Sequence, residues 1–420
     1  MARPVNVHSH VFTGQCAPDY FLRTALPKVL DPFAPQIKVF IEKQRSRGLI
    51  KAIARLNGSS KLLRYIQFAE MGLQETQETI FLQMKRASSA LGPDTRFIAL
   101  TLNMDHMGTG SSSHGRIEDQ LDEVERLRSH FPDHFFPFIS VDPRHLGGEA
   151  LKEWVRVRVE RLGFFGIKLY PSLGFFPFDE RLDALYAWAA EKEVPVMTHC
   201  TRHGVFYTGK MSEVLGDLAP RGLNPGHPAM GKVHERIKRF RNSRSTWNAP
   251  KHGCNIFTHP DNYLPVLDKY RKLKICFAHF GGDDEMLPGK HKQPLRDNGL
   301  DPTNWHELVL AMMRKPRDPA LRVDADDLWE WPNVYADISY TLYNEEVYTA
   351  LQALIKETHA GDRILFGTDF YMTLREDKEE TLLDRCMVQL GTGPFRKIAE
   401  VNTQGYLGSK YFDPSRRFIA

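Results

Sequence analysis

Cysteine is scarce in this 420-residue chain and has no pattern. Cys16, Cys200, Cys254, Cys276 and Cys386 are odd in number, widely spaced and free of any Cys-x-x-Cys pair. That spacing argues against a disulfide framework and a zinc–thiolate centre, and it suits reduced thiols in a cytoplasmic protein. Charge of one sign is missing too: 56 basic residues face 52 acidic ones, a net +4. So even a balance gives no electrostatic case for a nucleic-acid partner. No apolar run approaches the roughly 18 residues of a membrane helix, and the first residues lack the apolar core of a leader peptide. Internal repeats and low-complexity segments are absent as well. The expectation is a cytoplasmic protein acting on a small molecule, with no membrane or nucleic-acid partner and a homodimer as the default assembly.

What the chain does hold is a core. Hydrophobic residues make up 42% and charged residues 26%, ordinary values for a globular domain. Short apolar runs recur at 4–12, 96–102, 135–141, 164–170, 194–199, 274–279, 334–339 and 363–369. Near-continuous apolar runs suit strands buried on both faces, as in parallel sheets. Helical spacing fills most of the gaps, at 115–131, 149–162, 179–192, 344–358 and 377–390. Strand–helix alternation with eight strands predicts an α/β fold, a (β/α)8 TIM barrel of about 250 residues before insertions. The excess length falls into three insertions, approximately 13–95, 202–258 and 281–331, within a single domain spanning 1–420. The first carries a helical pattern around 68–91. All three follow strands 1, 5 and 6, on the side where barrel active sites are built, and insertions there form lids and substrate walls.

The 17 histidines carry the chemistry. His8 and His10 stand two apart on the first strand, and residues i and i+2 of a strand share a face. Alone, such a pair is as compatible with structure as with metal. His199 ends the fifth run, His279 the sixth and Asp369 the eighth. In a barrel these five side chains meet at one end. Several N and O ligands with an open position describe a catalytic zinc or similar divalent site.

At this point a resemblance is plain. The stretches NVHSHVF, GFFGIKLYPSLGFFPFDERLDALYAWAAEKEVPVMTHC, LPVLDKYRKLKICFAHFGG, NVYADIS and RILFGTDF resemble the amidohydrolase superfamily, in its amidohydrolase-2 branch. They span the chain from end to end, with the insertions outside the match. The resemblance implies that His8, His10, His199 and Asp369 bind or border a metal. It implies that His279 holds a second ion or orients water or substrate. It also makes Lys168, on the fourth strand, a candidate bridging ligand if carboxylated. An unmodified lysine is protonated near neutral pH and is a poor ligand; pairing with a carboxylate or contact with an anionic substrate are the alternatives. Zinc is the expected metal, as one ion or two.

Around this core, Arg202 and His203 directly follow strand five. Arginine's fork fits a substrate carboxylate, with a loop salt bridge as the alternative. Tyr170 offers a hydroxyl to substrate or a ring to the packing. His259 is expected to cap a helix, Cys200 to face the core, and Asp337 to support a ligand or rest in the barrel wall. The basic stretch 232–244 reads as a solvated face, or as a lid that draws in an anion. The leading functional reading is a hydrolase of an amide, lactone or ester in a small carboxylated substrate. Asp369 takes a proton from the attacking water, and His279 stabilises the oxyanion. A lyase that decarboxylates or hydrates an unsaturated or aromatic acid uses the same residues. A non-catalytic metal-binding protein, or a barrel phosphoesterase of another superfamily, is the remaining alternative.

Overall fold

The computed structural model describes residues 3–16, 18, 70–72, 74–108, 117–202, 204–215, 222–242, 255–287, 301–324 and 327–412. Eight parallel strands form one sheet in sequential order: β1 (Val5–Ser9), β2 (Arg96–Leu100), β3 (Phe135–Val141), β4 (Gly166–Leu169), β5 (Val196–Thr201), β6 (Ile275–Gly281), β7 (Val334–Asp337) and β8 (Ile364–Leu365). The sheet closes on itself. Val7 donates to the Phe366 carbonyl at 3.0 Å, Asp369 donates to the His8 carbonyl at 2.8 Å, and Ser9 bridges Phe370 in parallel. The expected TIM barrel is the observed fold.

The principal helices cover its outside: α1 (Gln77–Ala87), α2 (Ile117–His130), α3 (Gly148–Arg161), α4 (Asp183–Glu191), α5 (Pro228–Asn242), α6 (Trp305–Arg314), α7 (Val347–Lys356) and α8 (Glu379–Leu390). Five match the helical patterns read from the sequence. The pattern around 68–91 proves shorter in α1, because Thr76 accepts from the Thr79 amide at 3.1 Å and caps a new start. Most of the insertion after β1, and part of those after β5 and β6, lie outside the described residues. Among the described residues no helix is long and apolar enough to cross a membrane.

Two apolar layers hold the barrel. Val5, Val7, Ile98, Leu100, Phe136, Phe138, Met197, Cys276, Ala278 and Leu365 fill the interior. A larger layer, including Phe81, Phe97, Val124, Val155 and Leu185, packs helices onto strands. Gly166 is required where it stands: a Cβ there would meet the Phe138 ring at 2.5 Å. Tyr406 seals the end opposite the site, its hydroxyl donating to the Val196 carbonyl at 2.9 Å.

Strand alternation carries side chains from this interior up to the mouth. Gly166 leads to Lys168, Met197 to His199, and Tyr335 to Asp337, each two residues on. Cys200 faces the outer layer, as its place on the strand requires. For His8 and His279 the alternation breaks. Val7 and Ala278 point inward, so a regular strand would turn the next residue out. In β1 the register shifts between Asn6 and Ser9, and in β6 His279 adopts φ 64°. A bulge re-aims a side chain in this way, and these irregularities let both rings enter the barrel.

Candidate metal centre

His8, His10, Lys168, His199, His279, Asp337 and Asp369 are all buried at the mouth of the barrel. Ligand-capable atoms of His8, His279 and Asp369 lie within 4.8 Å of one another. Asp369 Oδ1 is 3.5 Å from His8 Nε2 and 3.3 Å from His10 Nε2. His199 Nδ1 stands 3.2 Å from His279 Nε2. All five expected metal-site side chains therefore meet, with His279 inside the tight group and His199 one hydrogen bond behind it.

The protons of three imidazoles can be placed. A carbonyl or carboxylate oxygen only accepts, so a ring nitrogen facing one must donate. His10 Nδ1 faces the Leu100 carbonyl at 2.9 Å, and His279 Nδ1 faces the Ser339 carbonyl at 3.1 Å. His8 Nδ1 faces the Asp337 carboxylate at 3.0 Å. In the neutral tautomer that these contacts select, each ring presents a bare Nε2 lone pair to the cluster. Burial, followed by the Lys168 charge, lowers the His8 pKa to about 3, and burial lowers that of His279. Both rings are neutral at physiological pH.

The Asp369 carboxyl closes the group. Its Oδ1 is buried and has no hydrogen-bond partner. In that tautomer its two nearest imidazole nitrogens, His8 Nε2 and His10 Nε2, have no proton to give. Lone pairs facing a carboxylate with nothing between them are repulsive, and a buried acceptor left unmatched is costly. A divalent cation resolves both, so the donor set fits a metal of the N/O class.

Local structure explains how the ligands are held. Gly367 precedes Asp369 by two residues, and a Cβ there would meet His8 Cβ at 2.8 Å, so the glycine lets β8 press against β1. Asn6 stitches the same seam, accepting from the Thr368 amide at 3.1 Å and donating to its hydroxyl at 2.9 Å. His279, Tyr340 and Asp369 take φ of 64°, 55° and 61°. Left-handed backbone at non-glycine residues costs about 1 kcal/mol or more and gathers at functional sites.

Asp337 is the supporting residue that its position on β7 suggested. It accepts from His8 Nδ1, from the His279 amide at 3.1 Å and from the Ser339 amide at 2.9 Å. Sequence reasoning missed Ser339. Its hydroxyl touches His8 Nδ1 at 3.0 Å and His279 Nδ1 at 2.9 Å, and donates to Asp337. The signal was present in Asp337-Ile338-Ser339, the same i, i+2 spacing that singled out the histidine pair.

Lys168 is wholly buried and its Nζ has no hydrogen-bond partner. Burial lowers its pKa to about 8, against the pull of Asp337 and Asp369. Tyr170 stacks on His199 at 4.1 Å, and its hydroxyl accepts from the Val205 amide at 3.1 Å. Gly204, at φ 108°, makes this possible: a Cβ there would lie 2.4 Å from the Tyr170 hydroxyl. Arg202 points elsewhere. It pairs with Glu285 at 3.0 Å and Asp301 at 3.3 Å and lies over the Trp305 ring, the salt-bridge alternative of the sequence reading. His259 joins that cluster through Asp301 and caps Pro260–Tyr263 as expected. His203 lies outside the described residues. The basic stretch forms much of α5, where Arg236 contacts Asn262 at 3.0 Å and Lys232, Glu235, Lys238, Arg239 and Arg241 are exposed.

The sequence matches the amidohydrolase family profile over residues 111–402. No curated protein matches the chain. Solved structures share its fold at low identity. A 5-carboxyvanillate decarboxylase from Novosphingobium aromaticivorans, with manganese and 4-hydroxy-3-methoxy-5-nitrobenzoic acid, aligns at TM-score 0.50 and 15% identity, over 97% of this chain and 96% of that one. A dihydroxybenzoic acid decarboxylase from Polaromonas with bound manganese aligns at 0.47 and 14%, over 97% of each chain. A 2,6-dihydroxybenzoate decarboxylase from Rhizobium aligns at 0.46 and 15%, over 97% and 99%. The profile match covers more than half of the chain, and the protein belongs to the amidohydrolase superfamily, in its amidohydrolase-2 branch.

Proposed function

We propose that the protein is a metal-dependent lyase that removes carbon dioxide from a phenolic aromatic acid. The observation that carries the metal reading is the set of imidazole Nε2 atoms, each with its Nδ1 engaged elsewhere, around the unpartnered Asp369 Oδ1. The choice of lyase is supported by the decarboxylase whose manganese-bound structure aligns along nearly the whole chain. The hydrolase expected from sequence would use the same residues, because fold and ligands are shared across reaction classes.

His8, His10, Asp369 and the His199–His279 pair would hold the ion, with Lys168 as an unmodified amine beside them. A bound divalent cation supplies Lewis acidity toward substrate oxygens. Asp369, ionised at rest, takes the phenolic proton as substrate enters and delivers it to the ring carbon bearing the carboxylate. The carbon–carboxylate bond then breaks, its electron pair returns to the ring, and carbon dioxide leaves. The phenolate regains a proton from solvent, so Asp369 ends as it began. Asp337 and Ser339 keep His8 and His279 in the right tautomers throughout.

The test uses the manganese-loaded protein with 5-carboxyvanillate and 2,6-dihydroxybenzoate, the substrates named for those decarboxylases. Carbon dioxide release that disappears in Asp369→Asn, while metal stays bound, supports the reading. Release that persists in Asp369→Asn removes the proposed proton carrier. Release from neither acid, with hydrolysis of lactones or amides instead, returns the enzyme to the hydrolase class.

A further inference from the structure

We propose that the cavity between α1 and the start of α8 is a second ligand site, which takes a small zwitterion: an ammonium against Glu379, a carboxylate against Arg86 and Lys378, and an apolar body between them. An apolar amino acid has this chemistry. The site stands on the outside of the barrel, apart from the metal centre, and does not depend on which reaction that centre performs. The cavity measures about 690 Å³, within the range of small-molecule sites. Its walls are α1, the residues leading into α1, the turn after β8 and the first residues of α8. On α1, Thr79, Leu82, Gln83 and Arg86 stand at helical spacing and share the face that lines it. Ile80, Phe81 and Met84 bury the opposite face in the core. Leu82 is left 44% exposed, a large apolar side chain that the protein itself does not cover. Met71, Phe370 and Leu374 complete an apolar wall with it.

Glu379 is the buried polar group of this cavity. It is fully enclosed, and its Oε1 accepts from Ser88 Oγ at 3.3 Å. Its Oε2 has no hydrogen-bond partner. A buried oxygen left unmatched is costly, and it calls for a group that the chain does not supply. Glu380, exposed on the same cavity, adds a negative charge beside it. Burial, helped by the charge of Glu380, raises the Glu379 pKa to about 7. A ligand ammonium answers both conditions: it donates to Oε2 and offsets the acidic pair.

Cations border the same space. Arg86 and Lys378 both line the cavity and both are exposed, and among the described residues neither forms an ion pair. Carboxylates alone would select a plain amine. With unpaired cations on the same cavity, a plain amine meets like charge, and a molecule that also carries a carboxylate meets its complement. The apolar wall of Met71, Leu82, Phe370 and Leu374 then selects a hydrocarbon body over a polar one.

Calorimetry of the manganese-loaded protein with L-phenylalanine, phenethylamine and 3-phenylpropanoate reads each end of the site separately. Phenethylamine lacks the carboxylate, and 3-phenylpropanoate lacks the amine. The wild type should bind L-phenylalanine more tightly than either fragment. Glu379→Gln keeps an acceptor for Ser88 but sets an NH2 against the ammonium. It should weaken L-phenylalanine roughly ten- to a hundredfold, down to the level of 3-phenylpropanoate. Replacing both Arg86 and Lys378 with methionine should cost L-phenylalanine about two- to fivefold and spare phenethylamine. Unfolding midpoints separate lost binding from lost folding, and the exposed Arg86 and Lys378 keep the test open if Glu379→Gln fails to fold. An amino acid that binds at the metal instead would keep its affinity in Glu379→Gln. Unchanged affinity in that variant therefore overturns the proposal. So does a wild type that binds no L-phenylalanine, or one that binds either fragment as tightly.

Discussion

Replacing Asp337 with asparagine should weaken metal binding although Asp337 is not itself a ligand in this account. One carboxylate oxygen accepts from two amides and the Ser339 hydroxyl, and the other accepts from His8 Nδ1. Asparagine has a single acceptor oxygen. If it keeps the amides, its NH2 faces the His8 Nδ1 proton, donor against donor. If it turns round, the NH2 faces three donors instead. The first arrangement costs less, and it drives the His8 proton to Nε2, the atom aimed at Asp369. Loss of such a supporting partner typically costs 10- to 100-fold in metal affinity, about 1.4 to 2.7 kcal/mol. Competition with a chelating dye at pH 7.5 measures it. Ser339→Ala, which leaves the carboxylate in place, should lose only a few-fold. Equal manganese affinity in wild type and Asp337→Asn would refute the tautomer argument.

Three further outcomes follow from the same geometry. Glu379 is fully buried, accepts from Ser88 Oγ at 3.3 Å, and has its pKa raised to about 7, chiefly by burial. The folded protein therefore holds a proton there that the unfolded chain releases near pH 4.5, so stability falls as pH rises from about 4.5 through 7. The full loss is about 3 kcal/mol. Glu379→Gln should be the more stable protein at pH 8 and show little advantage at pH 4.5; urea midpoints with equal differences at both pH values would contradict this. Arg202→Met leaves Glu285 and Asp301 without their cation and should cost about 3 kcal/mol of stability or more. Its ligand affinity should be nearly unchanged once folded, and a selective KM effect would restore Arg202 to the substrate. Metal analysis with intact-mass measurement should find one ion per chain and an unmodified Lys168; two ions with a carboxylated lysine would favour the binuclear arrangement.

The barrel was legible because its strands are buried on both faces and its helices on one, and each burial leaves its own period in the sequence. The helices after β2, β3, β4, β7 and β8 fell where the apolar spacing put them, and β3 matched residue for residue. His199, Asp337 and Asp369 could be placed by strand alternation alone. His8 and His279 were placed correctly for a reason that alternation does not contain, since each depends on a backbone irregularity. A bulge is set by the neighbouring strand's register, which a single strand's residues do not encode. Arg202 shows the same limit from the other side. Its position after a ligand strand suggested substrate, but Glu285 and Asp301 arrive from 83 and 99 residues away, and only the fold brings them together. Ser339 was missed although its i, i+2 spacing from Asp337 was there to read, because what it touches, His8 and His279, comes from other strand ends.

The most direct test of the account is the fate of hydrogen at the reacting carbon. The manganese-loaded protein is incubated in deuterated water with 5-carboxyvanillate, and the aromatic product is examined by mass spectrometry and NMR. The account predicts one deuterium at the carbon that lost its carboxylate, one carbon dioxide for each product formed, and no turnover in Asp369→Asn. An aromatic acid left intact, with amide, lactone or ester substrates gaining water instead, would contradict it.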